Sequence, residues 1–138
     1  MHLMRATEYG IHGVLYLAMQ PKGKVTILDE VAEAQRIPKS YLSKIFQVYT
    51  KAGILKSYRG AIKGFALAKP PEKINLKELI ENFEGKLFAD KCLLRREDCP
   101  RKVKCLISIK WREAVVAMNK VLERTTLSDL IGDMDNTV

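Results

Sequence analysis

Hydrophobic residues near the start of the chain follow helical spacing. Apolar positions within residues 3–18 share one helical face, which predicts a first helix that ends at Pro21 and Gly23. Thr26 is expected to cap a short second helix, with Asp29 as a weak capping-box partner. The chain is therefore expected to open with a long helix and a short one.

Proline marks the start of a third helix. Ile37 avoids the helical conformation because it precedes Pro38, whereas Pro38 itself suits the first turn of a helix that ends near Gly53. Two short strand-like segments follow, residues 54–58 and 65–68, on either side of a glycine-bounded loop. This pattern predicts a β-hairpin directly after the third helix.

The second half of the chain predicts three further helices around an irregular segment. Asn75 caps the first of them, and Gly85 stops it. Residues 90–105 are polar and lack periodicity, so we expect a loop. A long helix then covers residues 105–124, and Thr126 caps a short last helix. The apolar seam of the long helix, at alternating spacings of three and four, consists of Ile107, Trp111, Ala114, Met118 and Val121.

The order of the predicted elements indicates the fold class. Helix, short helix, tight turn, helix and hairpin follow one another in a winged helix-turn-helix. We therefore predict a mostly α fold with a small β wing: a winged helix-turn-helix DNA-binding domain in residues 1–85, then a cysteine loop and a long C-terminal dimerisation helix in residues 86–138.

Positive charge is concentrated in the N-terminal half of the chain. The net charge of the 138 residues is +8; residues 1–69 hold 11 Lys and Arg against 4 Asp and Glu, whereas residues 70–138 hold 13 against 12. A half-chain this basic suggests a polyanionic partner, with nucleic acid ahead of a membrane surface. A basic surface that serves only solubility is the alternative.

The third helix is the predicted recognition helix, and the hairpin is the predicted wing. Both carry polar side chains where a winged helix meets DNA. Lys39 and Lys44 can contact phosphates, and the hydroxyl of Tyr41 can contact phosphates or base edges. Arg59 lies beside a glycine at the wing tip, where a cation can enter a minor groove. Each position alone also fits ordinary solvation, but their joint placement favours DNA. The predicted DNA-binding residues are Lys39, Ser40, Tyr41, Ser43, Lys44, Arg59 and Lys63.

Little in the sequence favours an enzyme or a membrane protein. The two histidines are His2 and His12, and no nucleophile–base motif or phosphate-binding glycine loop is evident, so we expect no enzyme. The apolar stretch of residues 11–19 is too short to span a bilayer, and no signal-peptide cleavage site follows it. We therefore expect a cytoplasmic protein.

Three cysteines lie close together in and at the end of the predicted loop. Six residues separate Cys92 from Cys99, and five separate Cys99 from Cys105, unlike the short gaps of zinc knuckles and bacterial ferredoxins. Five Lys and Arg residues lie between them, and nearby cations favour thiolates and offset the negative charge of a metal cluster. The spacing alone leaves a metal cluster and three free cysteines as equal alternatives.

Several distinctive runs are spread over nearly the whole chain. They include Ala52-Gly53-Ile54-Leu55, Arg59-Gly60, Gly64-Phe65-Ala66-Leu67-Ala68, Trp111-Arg112 and Thr126-Leu127-Ser128-Asp129-Leu130. In combination they resemble the IscR/NsrR/CymR-type winged-helix regulators. The resemblance implies a homodimer crossed through the long C-terminal helix, in which the first helix also packs, regulation of transcription at a palindromic double-stranded DNA operator, and an iron–sulfur cluster, [2Fe–2S] or [4Fe–4S], on the cysteines. Lys63 departs from the family, in which a glycine is common there, so operator preference at the wing is not carried over.

Three cysteines leave a cluster one ligand short. The family adds a donor other than cysteine, either a histidine soon after the third cysteine, which is absent here, or a residue of the first helix reached across the dimer. Glu8 and His12 lie four residues apart on one face of that helix and resemble the Glu and His of redox-sensing members. A surface Glu–His pair is the alternative. The resemblance implies a metal site drawn from Cys92, Cys99, Cys105, Glu8 and His12.

Two regulator functions therefore remain open at the level of sequence, beside a zinc-stabilised interaction module that metal analysis would distinguish. One is a regulator that senses redox state, nitric oxide or iron–sulfur status through the cluster. The other is a cluster-free winged-helix repressor that relies on thiol chemistry or a small effector.

Overall fold

The computed structural model describes residues 2–86 and 105–136. Their architecture is mostly helical with one small antiparallel hairpin, as the sequence predicts. The hairpin pairs Leu55 with Leu67 and Tyr58 with Gly64. A short 3₁₀ helix, Pro71–Lys73, precedes α4. The described helices and strands are α1 (Arg5–Ala18), α2 (Leu28–Gln35), α3 (Lys39–Lys51), β1 (Leu55–Tyr58), β2 (Gly64–Leu67), α4 (Leu76–Glu84), α5 (Leu106–Arg124) and α6 (Leu127–Asn136).

Two glycines let α1 pack closely on α3. A Cβ atom on Gly10 would lie 2.5 Å from the hydroxyl oxygen of Tyr49, and one on Gly13 would lie 2.8 Å from the ring of Phe46. The Tyr49 hydroxyl in turn donates a 3.0 Å hydrogen bond to the backbone carbonyl of Leu79 in α4. Helices α1, α3 and α4 therefore meet around one buried tyrosine.

The hydrophobic core centres on α3 and extends to the end of the chain. Helical spacing predicts Leu42, Ile45 and Phe46 on one inward face of α3, and the structure confirms it, since they are only 0%, 3% and 0% exposed. Leu127 of α6 is 1% exposed and belongs to the same cluster of buried side chains. The last helix thus packs on the winged-helix core, while the division of the chain at residue 85 stays a prediction.

Thr26 has a different role from the predicted helix cap. Its backbone N–H donates to the Phe65 carbonyl at 2.9 Å and its carbonyl accepts from the Phe65 N–H at 2.8 Å, which adds a β-bridge to the hairpin. Ile27 occupies the N-cap position of α2 without a side-chain hydrogen bond. The expected cap was wrong because Thr26 is buried against β2, so close that a Cβ atom on Gly64 would overlap the Thr26 carbonyl.

The caps predicted for the later helices are confirmed. Asn75 accepts a 2.8 Å hydrogen bond from the Glu78 N–H, and Gly85 ends α4 at φ 75°. Thr126 and Asp129 form a reciprocal capping box, with hydrogen bonds of 3.0 and 3.2 Å. No helix in the described part of the chain is long and apolar enough to cross a membrane.

Candidate nucleic-acid interface and cluster ligands

The N-terminal turns of α3 present polar side chains on the side opposite the core. Because Leu42 and Phe46 are buried on one face of α3, the residues on the opposite face point towards solvent. The start of a helix also carries partial positive charge, so this end of α3 favours phosphate groups. Of the predicted contacts, Ser43 is half-buried, and the exposed ones are Lys39, Ser40, Tyr41 and Lys44.

Lys39 already has a partner within the protein. Its Nζ lies 2.7 Å from a carboxylate oxygen of Asp29, in the first turn of α2, and the two side chains are 60% and 61% exposed. An exposed ion pair contributes only about 0–1 kcal/mol, so a DNA phosphate can displace Asp29. Sequence reasoning missed this contact because the two residues lie on different helices.

Tyr41 is held against the first helix. Its ring meets that of Tyr9 edge to face, with the centroids 5.6 Å apart and the planes at 90°. Tyr41 nevertheless remains 42% exposed, which leaves part of the residue available to a partner. Tyr41 of the recognition helix α3 therefore contacts α1 at Tyr9, the residue that follows Glu8.

The wing tip is an exposed five-residue loop between β1 and β2. Arg59 and Lys63 stand at its two ends, next to the paired residues Tyr58 and Gly64. Gly60 adopts φ 95°, a conformation that favours glycine and lets the chain reverse after Arg59. The structure thus brings both predicted wing cations to the tip of the hairpin.

An ion network fixes α2 on α1. Lys24 Nζ lies 2.9 Å from Glu30 Oε1, and the Tyr16 hydroxyl donates to the same oxygen at 3.1 Å. The hydrogen bond from Lys24 holds the pKa of Glu30 below its ordinary value. Burial, followed by the Glu30 contact, raises the pKa of Tyr16. The network helps to orient the helix that precedes the recognition helix.

The predicted cluster ligands are only partly covered by the structure. Glu8 and His12 are both exposed on α1, and Cys105 is half-buried at the N-cap position of α5. Cys92 and Cys99 lie outside the described residues. Among the described residues, no three His, Cys, Asp or Glu side chains are grouped as a metal site. The five-residue ligand set therefore stays a prediction.

Glu84 links the start of α1 to the end of α4. Its Oε1 accepts hydrogen bonds from the Met4 backbone N–H at 2.6 Å and from the Thr7 hydroxyl at 2.7 Å. Thr7 is fully buried, so the carboxylate satisfies a hydroxyl that has no access to water. The contact holds the helix that carries Glu8 close to the chain entering the cysteine segment, and sequence reasoning missed it.

Comparison with known proteins identifies relatives along the whole chain. The regulator NsrR of Shouchella clausii is 34% identical over 137 residues, which cover 99% of this chain and 92% of that protein. Protein rrf2 of Nitratidesulfovibrio vulgaris is 32% identical over 133 residues, covering 96% of this chain and 89% of the relative. Both are similar in length as well as in sequence.

Solved structures share the fold. CymR of B. subtilis, the global cysteine regulator, superposes with a TM-score of 0.78 at 27% identity, covering 94% of this chain and 95% of its own. IscR of T. potens gives a TM-score of 0.79 at 26% identity, with coverage of 99% and 90%. The winged-helix fold and the predicted resemblance are therefore confirmed.

These relatives are regulators of transcription, and the chain is a DNA-binding regulator rather than an enzyme. The family model that matches residues 3–133 is that of Rrf2, described as an iron-dependent transcriptional regulator. The chain belongs to the Rrf2 family.

Proposed function

We propose that the protein is a homodimeric regulator whose operator binding depends on an iron–sulfur cluster. One observation carries the proposal: Glu8 and His12 are exposed one helical turn apart on α1, the helix that packs directly on the recognition helix. A change of ligation at α1 would therefore act on the element that reads DNA. The family description as iron-dependent supports the same link.

The DNA-binding mode follows from the exposed cations. The N-terminal turns of α3 enter a major groove, and Lys39 and Lys44 contact its flanking phosphates. Arg59 and Lys63 at the wing tip reach the adjacent minor groove. A two-fold symmetric dimer would read a palindromic operator, because each subunit offers the same pair of elements.

The apolar surface of α5 supports a homodimer. Five large hydrophobic side chains on this helix are at least 46% exposed, while Val115 is the residue that it buries. A second copy of the chain is the partner proposed for the side of α5 that carries the predicted seam, to which Ile107 and Val121 belong, because the seam repeats every three and four residues as in paired helices. The exposed hydrophobic side chains of α5 are Leu106, Ile107, Ile109, Val116 and Val121.

The available donors fit an iron–sulfur cluster. Thiolates of Cys92, Cys99 and Cys105 would bind iron, and the amide end of α5 favours negative charge at Cys105. Glu8 or His12 would complete the ligand set with an oxygen or nitrogen donor. When bound, the cluster supplies a redox-active iron centre whose potential its ligands tune. The protein would respond by altering the support that α1 gives to α3.

Anaerobic purification tests the cluster. We expect iron and acid-labile sulfide in the protein and absorbance between about 320 and 460 nm, the range of thiolate-to-iron charge transfer. Cys105→Ala should abolish or severely weaken cluster retention, and Glu8→Ala or His12→Ala should change its spectrum or lifetime. His2→Ala and Glu33→Ala are matched controls, because both side chains are exposed and outside the ligand set. A wild-type protein without iron and sulfide contradicts the proposal.

Mixed dimers test whether the ligands come from both subunits. Subunits with Glu8→Ala and His12→Ala are combined with subunits that carry Cys105→Ala, using two different affinity tags. If the ligands cross the dimer, each mixed dimer keeps one intact site and about half of the cluster. If all the ligands come from one subunit, no site is intact, and the iron content and spectrum equal the mean of the two parent homodimers.

A cluster-free regulator that uses thiol chemistry is the second candidate. The structure of an oxidised form of CymR from Staphylococcus aureus favours it, with a TM-score of 0.74 at 25% identity over 94% of this chain and 95% of that one. This candidate predicts metal-free protein whose operator affinity changes when peroxide oxidises Cys105. Cys105→Ser would then remove the response, whereas a cluster regulator would respond only after metal loading.

A further inference from the structure

The wing tip carries an exposed hydrophobic side chain beside its cations. Ile62 is 68% exposed, more than any other large hydrophobic residue described before residue 87. It lies directly before Lys63 and three positions after Arg59. Turn positions favour glycine, proline, asparagine, aspartate and serine, so a branched hydrocarbon here does not serve the turn itself.

The hairpin holds this side chain in a defined place. Tyr58 pairs with Gly64 at the base of the tip, and the Thr26–Phe65 bridge fixes β2 to the body of the protein. Phe65 also meets the buried Phe46 edge to face, with the ring centroids 5.1 Å apart. Ile62 is thus presented by an anchored hairpin and takes no part in the hydrophobic core.

We propose that Ile62 packs against the apolar deoxyribose wall of the minor groove that Arg59 enters. This inference rests on the proposed contact between the wing and DNA. The flanking cations select a nucleic acid as the occupant, because they would draw the tip to phosphates and to the negative potential of the groove. Proteins that bind minor grooves use isoleucine and similar side chains for apolar contact there. Ile62 therefore contributes affinity without releasing counterions.

Salt-dependent binding separates this contact from an ionic one. The probe is a fluorescein-labelled duplex that wild-type protein enriches from a random-sequence library, titrated at several KCl concentrations. Ile62→Asn should weaken binding about tenfold per wing, since it removes burial of a few methylene equivalents, and should leave the slope of log K against log[KCl] unchanged. Ile62→Val should keep most of the affinity. Arg59→Ala should weaken binding and also flatten the slope.

The outcomes separate a failure of the Ile62 contact from a failure of the wing contact. If Ile62→Asn binds as tightly as wild type while Arg59→Ala does not, the apolar contact is wrong and the wing contact stands. A weaker Ile62→Asn with a flatter salt slope or a lower Tm would also overturn the proposal, because the exposed side chain should affect neither. If both variants bind normally, the wing contact itself fails, and if wild-type protein enriches no duplex, the proposed DNA-binding mode fails as a whole.

Discussion

Helices α3 and α5 are both amphipathic, but only α3 buries its apolar face against other described residues of the same chain. α3 buries four large side chains, Leu42, Ile45, Phe46 and Tyr49, at no more than 3% exposure. α5 is longer, yet against the described residues it buries Val115 and leaves Leu106 77% exposed. Similar periodicity thus serves folding in one helix and, as we propose, association in the other.

The largest expected effect contrasts two leucines of these helices. Leu42→Ala should lower the free energy of unfolding by about 2–5 kcal/mol, because it opens a cavity in the core. Leu106→Ala should change it by less than about 0.5 kcal/mol, because that side chain is mostly solvated and lies about 100° around α5 from Ile107 of the proposed seam. Urea denaturation followed by far-ultraviolet circular dichroism measures both. Equal losses would show that the difference in burial has no energetic consequence.

Two valines of α5 test where the partner packs. Val121 and Val116 are 46% and 48% exposed, yet they project about 140° apart around the helix. Val121→Lys should produce monomers or aggregates, because a charge buried in the seam costs on the order of 2 kcal/mol or more. Val116→Lys should remain dimeric. Light scattering after gel filtration reports the mass, and a monomeric wild type at micromolar concentration would refute the proposed dimer.

Two helical glycines test the close contact between α1 and α3. Gly10→Ala should destabilise the protein by about 1–3 kcal/mol, since the new methyl group would overlap the Tyr49 ring. Gly132→Ala in α6 meets nothing within 4 Å and should stabilise the protein by about 0.5–1 kcal/mol through helix propensity. Thermal unfolding compares the two. A stabilising Gly10→Ala would mean that the α1–α3 contact is looser than the structure shows.

The smallest effect concerns the ion pair at the recognition helix. Asp29→Asn should raise DNA affinity about two- to fivefold at low salt, because it removes a carboxylate that competes with phosphate for Lys39. Lys39→Ala should weaken binding to all sequences and flatten the salt slope by about one unit. Glu33→Gln, an exposed carboxylate elsewhere on α2, is the control. Equal gains from Asp29→Asn and Glu33→Gln would indicate net charge alone.

The sequence predicted those features that depend on neighbouring residues. The Asn75 cap, the Gly85 stop and the Thr126 capping box each involve groups at most four positions apart, so their residue types identify them. The inward face of α3 was equally predictable, because helical periodicity places its hydrophobic residues on one side. The exposed cations of α3 followed from the same periodicity. Those of the wing followed from the glycine-bounded loop between two strand-like segments.

The tertiary structure decided what the pattern left open. A hydrogen bond joins Thr7 to Glu84 across 77 positions in the sequence. Thr26 pairs with Phe65 of the wing and does not cap α2. The ring of Tyr41 packs against that of Tyr9, a contact between distant residues that helical periodicity does not predict. The sequence by itself determined the helices, the caps of α4 and α6, the wing and the positive N-terminal half. Only the packing of distant segments decided which polar groups pair between elements far apart in the sequence. It also decided that most of the α5 hydrophobic surface is exposed, because both outcomes depend on the space that other elements occupy.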